Sequence, residues 1–172
     1  MTMDLQELFN DKSLKPKEKT ERLSKWILES PKNVDVLIDF SKASKDPIKS
    51  TCIESLEYAT RSNPDIFSVA VLDFVTKTLT EKAPRIKWES AKVVGNIAHL
   101  YPDKLDEAIK NLLVNSEHSG TVVRWSAAFA LGQIIKIKKS RNKDLISAIE
   151  SICKREEKNS IKKIYLDALK KV

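Results

Sequence analysis

Apolar residues recur along this chain with the period of a helix. Leu105, Ala108, Ile109, Leu112 and Leu113 fall at i, i+3, i+4, i+7 and i+8. Leu145, Ile146, Ile149, Ile152 and Cys153 fall at i, i+1, i+4, i+7 and i+8. Ile66, Val69 and Ala70, followed by Asp73 and Phe74, keep most of the same period. Each pattern makes one apolar stripe that must be buried against a neighbour. No stretch shows clean two-residue alternation between hairpin turns, so an all-α chain is predicted.

Prolines punctuate these segments. Pro16, Pro47 and Pro84 each precede a helical pattern, where the missing N–H costs nothing and the fixed φ helps. Pro31, Pro64 and Pro102 each follow one, in Ser-Pro, Asn-Pro and Tyr-Pro pairs that stop a helix. The spacing between opener and stopper predicts helices of about four to five turns.

The chain also repeats itself. Ile48-Lys49-Ser50-Thr51-Cys52-Ile53, Ile86-Lys87-Trp88-Glu89-Ser90-Ala91, Val123-Arg124-Trp125-Ser126-Ala127-Ala128 and Ile161-Lys162-Lys163-Ile164-Tyr165-Leu166 align. Their basic residue recurs at 49, 87, 124 and 162, each time after a β-branched apolar residue. Gly95 and Gly132 share one repeat position. A mid-helix glycine costs about 1 kcal/mol in propensity, so its recurrence points to close approach between stacked helices. A period of 37–38 residues built from two helices implies stacked helical hairpins.

The stretch from Val123 to Ile134 resembles the second helix of a HEAT repeat, and Ile86–Ile97 is similar to it. The resemblance implies a right-handed α-solenoid of about five stacked helical hairpins, an armadillo-like superhelix. It would form one domain over 1–172, with 1–31 a degenerate N-terminal cap pair. The repeats would cover about 32–63, 64–101, 102–140 and 141–172. It also implies A helices on the convex side and B helices on the concave side. The aspartate usual before the family's B helix is present only as Asp46, with Ala83, Gly120 and Lys158 near the corresponding turns. An aspartate–arginine ladder between repeats is therefore not expected.

On the helix containing Val123, the residues Val123, Ala127, Leu131 and Ile134 form the stripe facing its A helix. Trp125 lies about 200° round from Val123 and points away from that stripe. Phe129 and Lys136 continue its row. The equivalent row one repeat earlier is Trp88, Lys92 and His99; before that it is Ser50, Glu54 and Arg61, with Tyr58 adjacent. In the last repeat the row begins at Lys163. Stacked helices lie about 10 Å apart, close enough for these side chains to share one patch. Rings beside cations suit bases and phosphates, acidic-aromatic peptides, or cationic ligands held by ring faces. The alternative is that both tryptophans pack in the grooves between repeats.

Composition narrows the field. Hydrophobic residues make up 41% and charged residues 32% of 172, which fits neither a disordered nor a membrane-embedded chain. No apolar run nears the ~20 residues a bilayer span needs. The start, MTMDLQELFND, does not read as a signal peptide, and two distant cysteines suggest a reducing, cytoplasmic setting. Charge is uneven. Residues 1–86 balance at 14 basic and 14 acidic, whereas 136–172 carry 12 basic and 5 acidic, matching the whole net charge of +7. A basic end attracts nucleic acid, acidic proteins or anionic surfaces.

Chemistry-bearing motifs are missing. His99 and His118 have no partner at a metal-ligand spacing, so no metal or cofactor is expected. Cys52 and Cys153 read as core. There is no phosphate-cradling glycine loop and no nucleophile elbow. Glu54/Glu57 and Glu156/Glu157 read as solvated acidic pairs. A weaker resemblance, in helical architecture, charge and placement of Trp88 and Trp125, links the chain to HEAT-like DNA alkylation repair glycosylases. Those enzymes carry an aspartate one turn after a cleft tryptophan, where this chain has Lys92 and Phe129. Without that carboxylate, the group stabilising positive charge at the sugar is missing.

The expectation is a non-enzymatic scaffold that binds a protein segment through its concave face. The expected site is Trp88, Lys92, Trp125, Phe129 and Lys136, with His99 and Tyr58 at the rim. The rival is a nucleic-acid site of Lys136, Lys138, Lys139, Arg141, Lys162 and Lys163, with no glycosylase activity. The last helix sets Ile161, Ile164, Tyr165, Ala168 and Leu169 on one side and lysines on the other, a polar cap that favours a monomer.

Overall fold

The computed structural model describes residues 2–137 and 143–172. Lys138, Lys139 and Arg141 of the rival basic site lie outside the described residues. Among the described residues ten α-helices follow one another: α1 (Leu5–Asn10), α2 (Pro16–Glu29), α3 (Pro31–Lys42), α4 (Asp46–Ser62), α5 (Val69–Thr78), α6 (Pro84–Ile97), α7 (Asp106–Asn115), α8 (Thr121–Ile135), α9 (Lys143–Arg155) and α10 (Asn159–Leu169). No strand occurs among the described residues. One-turn 3-10 segments at Pro64–Ile66 and Ala98–Leu100 lie between α4 and α5 and at the end of α6.

Proline chemistry sets several of these boundaries. Pro16, Pro47 and Pro84 sit in the first turns of α2, α4 and α6. Pro31 does more than stop α2: it is the first residue of α3. Only Ser30 separates the two helices, and its hydroxyl caps α3 by accepting from the Lys32 N–H at 3.3 Å. The pattern beginning at Ile66 also divides, because Phe67 and Ser68 are extended or capping residues and α5 starts at Val69.

The even-numbered helices form a continuous row in which α2 packs on α4, α4 on α6, α6 on α8 and α8 on α10. The odd-numbered helices α3, α5, α7 and α9 pack on their even-numbered partners. This is an all-α solenoid of stacked helix pairs. We call the row of even-numbered helices B and the others A. The short α1 is held differently, by the Phe9 ring stacked on Phe40 of α3 at 5.6 Å and by Lys19 Nζ donating to the Phe9 carbonyl at 2.8 Å.

One hydrophobic core runs the length of the stack, from Leu5 and Leu8 to Tyr165 and Ala168. Helix α8 is buried along most of its circumference, including Val123, Ala127, Ala128, Ala130, Leu131, Ile134 and Ile135. It lies between α6 and α10 and under α7, so an apolar composition all round is what its position requires.

The recurring basic residue links successive pairs. Lys49 of α4 reaches Glu81 beyond α5 at 2.9 Å. Lys87 of α6 donates to the Leu79 carbonyl at 3.2 Å and to Asn115 Oδ1, at the end of α7, at 3.3 Å. Burial holds the Lys87 ammonium below the usual lysine range. Arg124 of α8 donates to the carbonyls of His118 and Ser119, each at 3.0 Å, and pairs with Glu156 beyond α9 at 3.1 Å. The stack thus has a ladder of lysine and arginine rungs, each running from a B helix to the C-terminal end of the next A helix or the turn just after it.

The glycines show the close approach their recurrence suggested. A β-carbon on Gly95 would stand 2.5 Å from Phe129 Cε1, and one on Gly132 would stand 3.4 Å from Ala168 Cβ. Two acidic pairs depart from the solvated reading. Glu57 and Glu156 are buried, because arginines from their own or neighbouring helices face them.

Candidate functional site

The outward side of α8 is apolar for about two turns, from Val122 to Phe129. Val122, Trp125 and Phe129 share a face by their spacing. Trp125 is 40% exposed and Val122 50%. Trp125 and Phe129 stack nearly parallel, with ring centroids 6.1 Å apart and planes 5° from coplanar. Phe129 can lie low against α6 only because Gly95 has no side chain.

This stack forms one wall of a groove of about 390 Å³ crossing α4, α6 and α8. Glu54, Glu57, Tyr58 and Arg61 come from α4, Lys92 and Asn96 from α6, and Trp125 and Phe129 from α8. Asn96 ties the helices beneath, donating to the Glu57 carbonyl at 3.3 Å and to Thr60 Oγ1 at 3.0 Å.

Of the side chains expected from sequence, the groove unites Tyr58, Lys92, Trp125 and Phe129. Trp88, half-buried on α6, is not among the lining residues; its indole N–H donates to Glu89 at 3.0 Å. His99 is exposed in the 3-10 turn after α6, and half-buried Lys136 caps the C-terminus of α8. Lys162 is half-buried and Lys163 exposed on α10.

Carboxylates are what sequence reasoning missed. Glu54 pairs with Arg85 and accepts from Thr20 Oγ1 of α2 at 3.5 Å. Glu89 is buried, with Lys92 Nζ 3.2 Å from its Oε2. Burial pushes its carboxyl above the usual range, and Lys92 offsets part of that rise. Glu57 is 5% exposed, with Arg61 Nε 3.5 Å from its Oε1. The Arg61 guanidinium carbon lies 5.1 Å above the Tyr58 ring. The groove therefore carries both signs of charge over an aromatic lining. The usable signal was the i, i+4 placement of Glu57 and Arg61.

No group of three or more His, Cys, Asp or Glu side chains that could hold a metal occurs among the described residues. No described helix is long and apolar enough to cross a membrane.

Solved structures share this architecture. One engineered protein matches at a TM-score of 0.67 with 16% identity, over 99% of this chain and 81% of its own. A second engineered protein matches at 0.67 with 19% identity; this chain spans 97% of itself but 46% of that protein. A designed armadillo repeat protein, in complex with the peptide (KR)4, matches at 0.62 with 12% identity over 97% of both chains. The fold is an armadillo/HEAT-like helical repeat. No protein-family model matches the chain, and no curated protein does.

Proposed function

We propose that this chain is a non-enzymatic helical-repeat scaffold that binds a protein segment along its B-helix face. The observation that carries the reading is Trp125, an indole left 40% exposed at the mouth of a groove spanning three B helices. Exposed aromatics backed by packed neighbours are where binding energy concentrates at protein interfaces. Phe129 supplies that backing, and Lys92, Arg61 and the carboxylates supply orientation and steering. Trp88, Lys136 and His99 extend the contact along α6 and α8. The designed neighbour holds a peptide on a fold of this kind, which supports a segment rather than a small molecule as ligand.

The test is site-specific photocrosslinking in extract, from residue 125 and from Val36, an exposed A-helix residue. A crosslinked partner is expected from 125, lost when Trp88→Ala is combined with Phe129→Ala in a chain that keeps its helix content. Crosslinks from position 36 alone would move the site to the other side of the stack.

A second reading is nucleic-acid binding, carried by the charge excess of 136–172. It requires retention on DNA or RNA at low salt, with log affinity falling linearly in log salt. No retention at low salt would remove it.

A further inference from the structure

One rung of the basic ladder has no carboxylate. Lys49 meets Glu81 at 2.9 Å, and Arg124 meets Glu156 at 3.1 Å. Lys87 Nζ meets two neutral oxygens instead, the Leu79 carbonyl at 3.2 Å and Asn115 Oδ1 at 3.3 Å. Asn115 is 3% exposed, and its Nδ2 donates to the same Leu79 carbonyl at 3.1 Å. That bond fixes the amide so that its oxygen faces Lys87. An ammonium brings three donors and a charge, whereas this site offers two acceptors and no opposite charge. A free amine fits it better: two N–H bonds match two oxygens, and a lone pair is left over. Burial, the one cause that lowers the Lys87 range, favours the same form. The residue is half-buried rather than sealed.

We propose that Lys87 is an acylation site, an amine held ready for an activated acyl group carried on a phosphate or on a thiol. This goes beyond the B-face reading and does not depend on it. Lys87 Nζ attacks the acyl carbonyl carbon. The bond from that carbon to the phosphate oxygen or thiol sulfur breaks, its electron pair leaves with phosphate or thiolate, and the amine proton passes to water. The product amide keeps one N–H, enough for Asn115 Oδ1, while the Leu79 carbonyl retains Asn115 Nδ2. The stack therefore accommodates the acyl group, and the rung loses its charge. The equivalent rungs are unsuited to this chemistry, because Lys49 is ion-paired and Arg124 carries a guanidinium, which stays protonated.

The full chain is treated briefly with acetyl phosphate and, in parallel, with S-acetyl-N-acetylcysteamine, from neutral to alkaline pH. Mass spectrometry of its peptides gives the rate at each lysine, with exposed Lys104 as internal standard. Lys87 acetylation is expected to level off at a lower pH than that of Lys104. At neutral pH it is expected to run about tenfold ahead of Lys49. Asn115→Asp keeps the shape and sets a carboxylate against Lys87, and is expected to slow it about tenfold relative to Lys104. Glu81→Gln removes the carboxylate from the Lys49 rung and is expected to quicken that lysine about threefold. Modification by one donor alone assigns the source of the acyl group.

Coincident pH profiles for Lys87 and Lys104, or no acetylation of Lys87 by either donor, would overturn the proposal. So would an Asn115→Asp chain whose Lys87 rate is unchanged. If that variant folds poorly, the pH profile of the unaltered chain and the Glu81→Gln result still decide.

Discussion

The Phe129 ring fills the space that a β-carbon on Gly95 would need, with its Cε1 2.5 Å from that position. Gly132 holds the same place one repeat later, but a β-carbon there would meet Ala168 Cβ at 3.4 Å and Ile164 Cγ2 at 3.7 Å, ordinary contact distances. Two glycines at one repeat position therefore do different work. Gly95 seats an aromatic wall of the groove, whereas Gly132 lets α10 pack on α8.

Their alanine variants are expected to move stability in opposite directions. Gly132→Ala gains helix propensity without a clash and raises stability by about 0.5–1 kcal/mol. Gly95→Ala forces the ring outward and costs about 1–3 kcal/mol. Adding Phe129→Ala to Gly95→Ala should recover part of that cost, a coupling that denaturant unfolding of all four combinations measures.

The basic ladder gives a second expectation. Arg124→Ala leaves Glu156 buried without its guanidinium and should destabilise by about 3 kcal/mol. Lys49→Ala breaks a more exposed rung and should cost less than about 1 kcal/mol. Similar losses from the two in urea unfolding would contradict the ladder as described.

Two buried carboxyls make pH dependences of opposite sign. Burial pushes Glu156 up, but the Lys158 N–H and Arg124 outweigh it and hold the group below its usual 4.5. Its stabilising effect is present above that value and is lost as pH falls through the lowered one. Glu89 is raised, chiefly by burial, so it takes up a proton in the folded chain first. Compared with Glu156→Gln, the wild type should lose relative stability as pH drops below 4.5. Compared with Glu89→Gln, it should gain as pH falls from neutrality toward 4.5. Thermal unfolding of the three proteins across that range checks both signs.

The thiols offer a simple probe of packing. Cys52 is fully buried, and burial pushes its thiol to about 12. Cys153 is raised by burial as well and is slightly exposed. A disulfide-exchange reagent should modify Cys153 slowly in the native chain and Cys52 only after unfolding.

The stacking of helix pairs was legible because it repeats. The basic residue at 49, 87 and 124 marked the start of each B helix, and the paired glycines marked close approach. The sequence could not show that Lys49 and Arg124 reach carboxylates about thirty residues onward, since those partners meet only once pairs stack. The equivalence of Trp88 and Trp125 also proved incomplete, for a local reason. Glu89 follows Trp88 and accepts its indole N–H, whereas Ser126 follows Trp125 and bonds back to the Val123 carbonyl. Four residues on, Lys92 turns to Glu89, while Phe129 stacks on Trp125. One indole is tethered and the other presents its ring at the groove. Glu57 looked solvated because its burial comes only when α6 packs on α4, from the next repeat.

The three tryptophans allow a direct test of where this chain grips. Trp26 is buried at the far end of the stack, Trp88 is half-buried beside the groove, and Trp125 forms its wall. Their indole N–H resonances should be followed while the protein segment captured by crosslinking from residue 125 is titrated to saturation. Trp125 is expected to shift most, Trp88 less and Trp26 not at all. A saturating titration that leaves Trp125 in place, or that moves Trp26 alone, would contradict the assignment of binding to the groove across α4, α6 and α8.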